Sequence, residues 1–201
     1  MSKGVKIGCG ILVVLAIAAL MAVSWIFKTR NQMVRYDEDV KQKWAQVQNV
    51  YQRRYDLIPN LVGTVQGYAK HERETLQAVI EARSKVGGVT NLNAKDLTPE
   101  NLAKFQEAQA GLSGALQRLM VVVEQYPNLK ANENFIRLQD ELAGTENRIA
   151  VERRSYTESV QQYNQYIRFF PQSFLAGMFG FKERPQFAAA DQAQQAPKVQ
   201  F

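Results

Sequence analysis

From Ile7 to Phe27 the chain runs 21 residues without a charged side chain, IGCGILVVLAIAALMAVSWIF, and Lys6 and Lys28 close the run on either side. No other feature restricts the fold so strongly. At about 1.5 Å per residue the run makes a helix of about 31 Å, enough to cross a hydrocarbon core of about 30 Å. Trp25 stands near one end, where an indole suits the headgroup region. The competing reading is a cleaved signal peptide, because Ala22-Val23-Ser24 offers small residues of the kind found before a cleavage site. The run outlasts a signal core and continues through Trp25, Ile26 and Phe27 beyond that site, which favours retention in the membrane. Cys9, the one cysteine, begins the run instead of ending it, so it does not read as a lipoprotein cysteine. A single cysteine also excludes a disulfide within the chain and a thiolate metal cluster. The expected division is a short flank at 1–6, a transmembrane helix at 7–27, a helical domain at 33–183 and a disordered tail at 186–201.

The formal charge of +6 invites a nucleic-acid reading until the charges are placed. Lys3, Lys6, Lys28, Arg30 and Arg35 all precede the first acidic residue, and the rest of the chain holds 20 basic against 19 acidic residues. A phosphate-binding surface needs a local basic surplus, so nucleic acid is not an expected partner. Basic residues flank both ends of the apolar run. Their larger number after it weakly favours a cytoplasmic domain, while a short positive N-terminus favours the opposite, and the side stays open.

Beyond the run, Val40, Trp44, Val47, Tyr51, Tyr55 and Ile58 recur at steps of three and four, one face of a helix. The phase persists through Val62, Val65, Ala69, Leu76 and Ile80 despite Pro59. A proline inside a helix costs about 3 kcal/mol in isolation. The surviving phase nevertheless predicts one long helix, or two nearly collinear ones, from Met33 to Lys85 with a kink at 57–60. Gly87-Gly88 and the polar stretch to Asp96 form the main loop. Thr98, Pro99 and Glu100 then supply an N-cap, a first-turn proline and a charge suited to the helix dipole. The next stripe is Leu102, Phe105, Gln109, Leu112, Leu116, Leu119, Val123 and Tyr126, ended by Pro127. A last long helix is expected from Ala131 to Phe169 with the face Phe135, Leu138, Leu142, Thr145, Ile149, Glu152, Tyr156, Val160, Tyr163, Ile167 and Phe170. Short connections make neighbours antiparallel. The predicted fold is all-α: one N-terminal transmembrane helix followed by an elongated antiparallel helical bundle, with a short further helix after Pro171.

No catalytic or metal-binding residues are expected. His71 is the one histidine, and no second imidazole follows at zinc-peptidase spacing. No serine sits in a relay, and Gly87-Gly88 lacks the lysine of a phosphate loop. What stands out is a set of polar residues on or beside the stripes: Arg54, Glu72, Arg83, Glu124, Thr145, Glu146, Asn147, Glu152, Arg153 and Asn164. Buried charge needs a partner. The expected reading is a buried polar network in which arginines pair glutamates and fix helix register, with a polar binding groove as the rival. After Pro171, Phe174, Leu175, Met178, Phe179 and Phe181 are crowded into a short segment that something must cover: the end of the bundle, or a membrane or partner. Phe174, Met178, Phe179 and Phe181 are the candidate contact residues.

The strings QRRYDLIPNLVGTVQGYAKHE from Gln52, EQYPNLKANENFIRLQDEL from Glu124, TENRIAVERRSY from Thr145 and QQYNQYIRFFP from Gln161 resemble the LemA family. The likeness runs from about Tyr36 to Phe181. It implies a membrane anchor and an antiparallel bundle, and it implies no reaction or cofactor. One departure is Tyr156-Thr157, where the family pattern resembles Tyr-Asn; Tyr163-Asn164 keeps it. A relative from magnetosome-forming bacteria is associated with building an internal membrane, and other relatives are lipid-anchored envelope proteins. The expected role is a non-enzymatic scaffold or adaptor, single-pass in the bacterial inner (plasma) membrane. Its expected partners are the lipid bilayer and proteins or further copies of itself. The alternative is membrane remodelling through Phe174 to Phe181.

Overall fold

A computed structural model describes residues 3–69, 71–89, 92–94 and 96–188, with side chains from residue 10 onward. Among these residues there are six helices and no strand: α1 Lys3–Tyr68, α2 Arg73–Gly87, α3 Pro99–Val123, α4 Pro127–Lys130, α5 Glu133–Arg168 and α6 Gln172–Phe179. α1 has 66 residues, about 100 Å at the usual rise. It is the one helix among the described residues long and apolar enough to cross a membrane. Its apolar side chains from Ile11 to Val23, and Trp25 and Phe27 after them, lie exposed, whereas from Met33 onward one face is buried. The helix expected at 7–27 and the long helix expected from Met33 form one continuous helix. Residues 28–32 contain neither glycine nor proline, and Thr29 is already buried, so the span passes into the bundle as one helix.

α1 also continues through Pro59. The proline removes the N–H that would bond the carbonyl of Tyr55, and a side chain from α2 replaces it. Arg83 Nε donates to Tyr55 O at 3.2 Å, and its guanidinium lies 3.8 Å from the centre of the Tyr55 ring. The expected continuation to Lys85 is corrected by the same contact. The chain leaves α1 at Tyr68 and has reversed by Arg73, and α2 returns alongside α1 until Gly87 meets the Tyr55 ring. A Cβ at Gly87 would stand 3.2 Å from the Tyr55 hydroxyl, so the close approach favours glycine there. After the reversal Leu76, Val79 and Val86 point inward, and Ile80, expected on the stripe, is exposed.

The later helices follow their sequence signals closely. Thr98 Oγ1 accepts from Asn101 N at 3.2 Å to cap α3, with Pro99 in its first turn. Asn132 Oδ1 accepts from Phe135 N at 3.1 Å to cap α5. The α3 stripe is buried from Leu102 to Val123, and the α5 stripe at Phe135, Leu142, Thr145, Ile149, Tyr156, Val160, Tyr163 and Ile167. Phe170 departs from its stripe and is exposed, because α5 ends at Arg168 and helical phase no longer governs it.

α1 and α5 share the most extensive helix–helix contact, and α2 lies chiefly on α3. Two apolar clusters result. The distal one, farther from the membrane segment, joins Ile58, Leu61, Val65, Val79, Val86, Leu112, Leu119, Leu129 and Phe135. The proximal one joins Met33, Val40, Trp44, Tyr51, Phe105, Tyr156, Val160, Tyr163 and Leu175. At the foot of the bundle, Gly180 caps α6 with φ of 76° and turns the chain upward. A left-handed conformation of this kind is cheap only for glycine. Residues 181–188 then climb as an extended strap along α5. Residues 186–188 were expected to be disordered, but Phe187 packs on Trp44 and Tyr156; positions 189–201 of that expected tail lie outside the described residues.

Candidate functional site

The expected polar network separates into local arrangements at different heights of the bundle. The most buried is centred on Arg54, which is 2% exposed and sits between the two apolar clusters. Its Nη1 donates to Glu146 Oε1 at 2.6 Å and to Ser113 Oγ at 3.0 Å, and its Nη2 donates to the side-chain and main-chain oxygens of Gln109. Arg54 thereby joins α1, α3 and α5 in one layer. Its Nε, with Gln109 Nε2, is buried without a hydrogen-bond partner among the described residues. A groove of about 740 Å³ runs over this layer, lined by Gln106, Glu107, Gln117, Glu146 and Arg153 among others.

Most other members lie elsewhere, while Arg153 shares the groove wall with Glu146. Glu72 accepts from the Tyr126 hydroxyl at 2.9 Å beside the reversal between α1 and α2. Arg83 serves the carbonyl freed by Pro59. Glu124 pairs with Lys130 on the exposed surface between α3 and α4. Arg153 lies over the Phe187 ring at 4.6 Å. Asn147 is exposed on α5, and Thr145 is buried with its hydroxyl donating to Glu141 O at 2.7 Å. The arrangement is thus a series of fasteners, in which Glu72, Glu146 and Arg83 each bond a different partner. His71 is exposed in the reversal. No group of three His, Cys, Asp or Glu side chains among the described residues could hold a metal ion.

Asn164 belongs to a constellation that the sequence did not announce. Its amide donates to Arg184 O at 2.8 Å and its oxygen accepts from Arg184 N at 2.8 Å, so one side chain satisfies both main-chain groups of a strap residue. Tyr163 donates to Lys182 O and Tyr156 to Pro185 O, each at 2.9 Å. Thr157, the departure from the Tyr-Asn pattern, bonds back to Arg153 O in its own helix at 2.9 Å, and only the second pair grips the strap with both residues. The Arg184 guanidinium reaches Asp37 at 2.7 Å and Ala94 O at 3.1 Å, tying strap, α1 and the 88–98 loop together. The loop is held from α1 as well, where Trp44 Nε1 and Gln48 Nε2 donate to Leu92 O at 2.8 and 2.9 Å.

These contacts shape the local ionisation. Burial pushes the Asp37 carboxyl up, but hydrogen bonds from Lys41 and Arg184 outweigh it and hold the group below the usual carboxylate range. Burial pushes the phenols of Tyr51 and Tyr163 up and that of Tyr156 up to about 12. The candidate contact residues divide at α6. Leu175 and Ala176 face the bundle, while Phe174, Met178 and Phe179 are exposed and Phe181 is half-buried against the proximal cluster.

The sequence model described as the LemA family matches residues 43–201. Magnetosome protein MamQ of Magnetospirillum gryphiswaldense is 30% identical over 195 residues, 86% of this chain and 71% of its own length. Magnetosome protein MamQ 2 of Paramagnetospirillum magneticum is 26% identical, covering 88% of this chain and 71% of its own. Protein LemA of Metamycoplasma hominis is 25% identical, covering 70% and 60%.

Proposed function

Since the chain belongs to the LemA family and is a membrane-associated helical protein, we propose that it is a single-pass scaffold or adaptor of the bacterial inner (plasma) membrane. In this reading it performs no catalysis and presents its bundle to protein partners or to further copies of itself. The observation that carries the reading is the continuity of α1. The helix that is apolar enough for the bilayer is the same helix that packs along α5, so the bundle inherits its direction from the span. A helix without a break transmits orientation in a way that a flexible linker does not. The buried and half-buried polar side chains support the same reading, since Arg54, Arg83, Asp37 and Asn164 each hold elements together.

The test is photo-crosslinking in intact cells from exposed apolar positions on the distal half, Val121 and Ile136. The scaffold reading expects discrete products with defined protein neighbours or a second copy, differing between these positions and a charged control position, Arg154. Persistent monomer at every position contradicts it.

A further inference from the structure

The foot of the bundle overlaps the end of the apolar run. Ile26, inside that run, packs against the proximal cluster, and Thr29 is buried one turn later. Arg30 lies 5.6 Å from the centre of the Phe179 ring, which places α6 beside the point where α1 loses its apolar character. α6 has no charged residue. Leu175 and Ala176 occupy its inner side, and Phe174 and Met178, one turn apart, are 73% and 57% exposed; Phe170, just before the helix, is 88% exposed. Around them Lys28, Arg30 and Lys182 are exposed to solvent, and Arg168, also exposed, pairs with Glu183 at 3.7 Å. A surface helix that opposes water normally carries charge on its outer side. An uncharged helix with aromatic groups outward, flanked by a surplus of basic residues, suits the boundary between headgroups and acyl chains.

We propose that α6 is an interfacial helix, with Phe170, Phe174 and Met178 seated in the same bilayer that α1 enters and the flanking basic residues meeting lipid phosphates. The bundle then stands on the membrane at two points, and its tilt is fixed by both. The lipid assignment follows from height: a face level with the end of a membrane span meets headgroups before it meets another protein.

The full chain, carrying Cys9→Ser, is spin-labelled at Phe174→Cys, Met178→Cys and, as an aqueous reference, Val121→Cys. It is reconstituted in vesicles of phosphatidylethanolamine and phosphatidylglycerol. The expected ratio of oxygen to nickel-chelate accessibility is several-fold higher at 174 and 178 than at 121. Equal ratios at all three positions overturn the proposal. Exclusion of both reagents at 174 and 178, with spin–spin broadening between copies, also overturns it and assigns the face to a second copy. A label at Phe170→Cys, outside the helix, gives an independent reading if the α6 variants lose their fold.

Discussion

The two halves of the bundle are built from different materials. The distal core is mostly aliphatic and is closed by α1, α2, α3 and α5. The proximal core holds Trp44, Tyr51, Phe105, Tyr156 and Tyr163, with Tyr36, Tyr166 and Phe187 against it, and where α2 is missing it is closed by the 88–98 loop and the strap. Helix length explains the difference. α2 has 15 residues and α5 has 36, so at a common rise α2 lines about 22 Å of a groove about 54 Å long. Regular helices satisfy their own main-chain groups, and aliphatic side chains suffice between them. Irregular segments bring unpaired carbonyls into the interior, and each must find a donor. Trp44, Tyr156 and Tyr163 combine an apolar body with one donor at the tip, and each donates to a carbonyl of the loop or the strap.

The sharpest way to break this contrast is to empty each core in turn and follow amide hydrogen exchange along the full chain. Trp44→Ala removes a side chain that contacts Phe105, Tyr156 and Phe187, at a cost of about 4 kcal/mol. Protection should fall first in residues 92–94 and 181–188, with α2 little changed. Leu119→Ala should cost about 3 kcal/mol and loosen α2 against α3 instead. Equal losses everywhere from both variants would make the two clusters a single core.

Between the halves, Glu146→Ala deprives the buried Arg54 of its anion. Glu146 itself is 42% exposed, which discounts the loss to about 2 kcal/mol. Glu124→Ala breaks a pair in which both partners are exposed and should change the denaturation midpoint little, by about 0.5 kcal/mol or less in stability.

Alkali probes the proximal half without mutation. A buried phenol with a raised pKa adds stability that is complete below its unfolded value near 10 and is lost as pH climbs through its folded value. For Tyr156 that loss runs from about 10 to about 12, and Tyr163 and Tyr51 shift in the same direction. Exchange in the strap should therefore rise over this window ahead of exchange in α2 and the distal part of α3. Removing the Tyr156 hydroxyl with Tyr156→Phe should flatten the response.

A further test concerns the distal half alone. Arg83→Met leaves Tyr55 O without the donor that replaces the Pro59 amide, a cost of about 1 kcal/mol. In a Pro59→Ala background the restored N–H serves that carbonyl, and the same Arg83→Met change should cost less. A double-mutant cycle by chemical denaturation measures the difference.

The apolar run, the α3 and α5 stripes and the capped start of α3 were legible because each is a local pattern with a local cause; the Asn132 cap of α5 appears only in the structure. The reversal between α1 and α2 was not legible. Ala69 remains buried on the same phase, no proline marks the stop, and Leu76 rejoins the core from the opposite direction, so periodicity alone suggests collinear helices. The Arg54 layer was half visible. Arg54 and Glu146 stood out as charges near stripes, but Gln109 read as an ordinary stripe position and Ser113 carried no signal. The strap was invisible, since Phe187 precedes an alanine- and glutamine-rich stretch and Tyr156, Tyr163 and Asn164 bind main-chain groups that no side-chain pattern announces.

The central claim is that one unbroken helix rises from the membrane to the distal tip through both cores. Paired spin labels at the exposed positions Lys28 and Gln66, on the full chain carrying Cys9→Ser in lipid nanodiscs, measure it by electron–electron dipolar spectroscopy. A continuous α1 predicts one narrow distribution near about 57 Å, the length of 38 helical rises. A broad distribution, or one centred well below that length, would place a hinge between the span and the bundle or at Pro59 and would contradict the account.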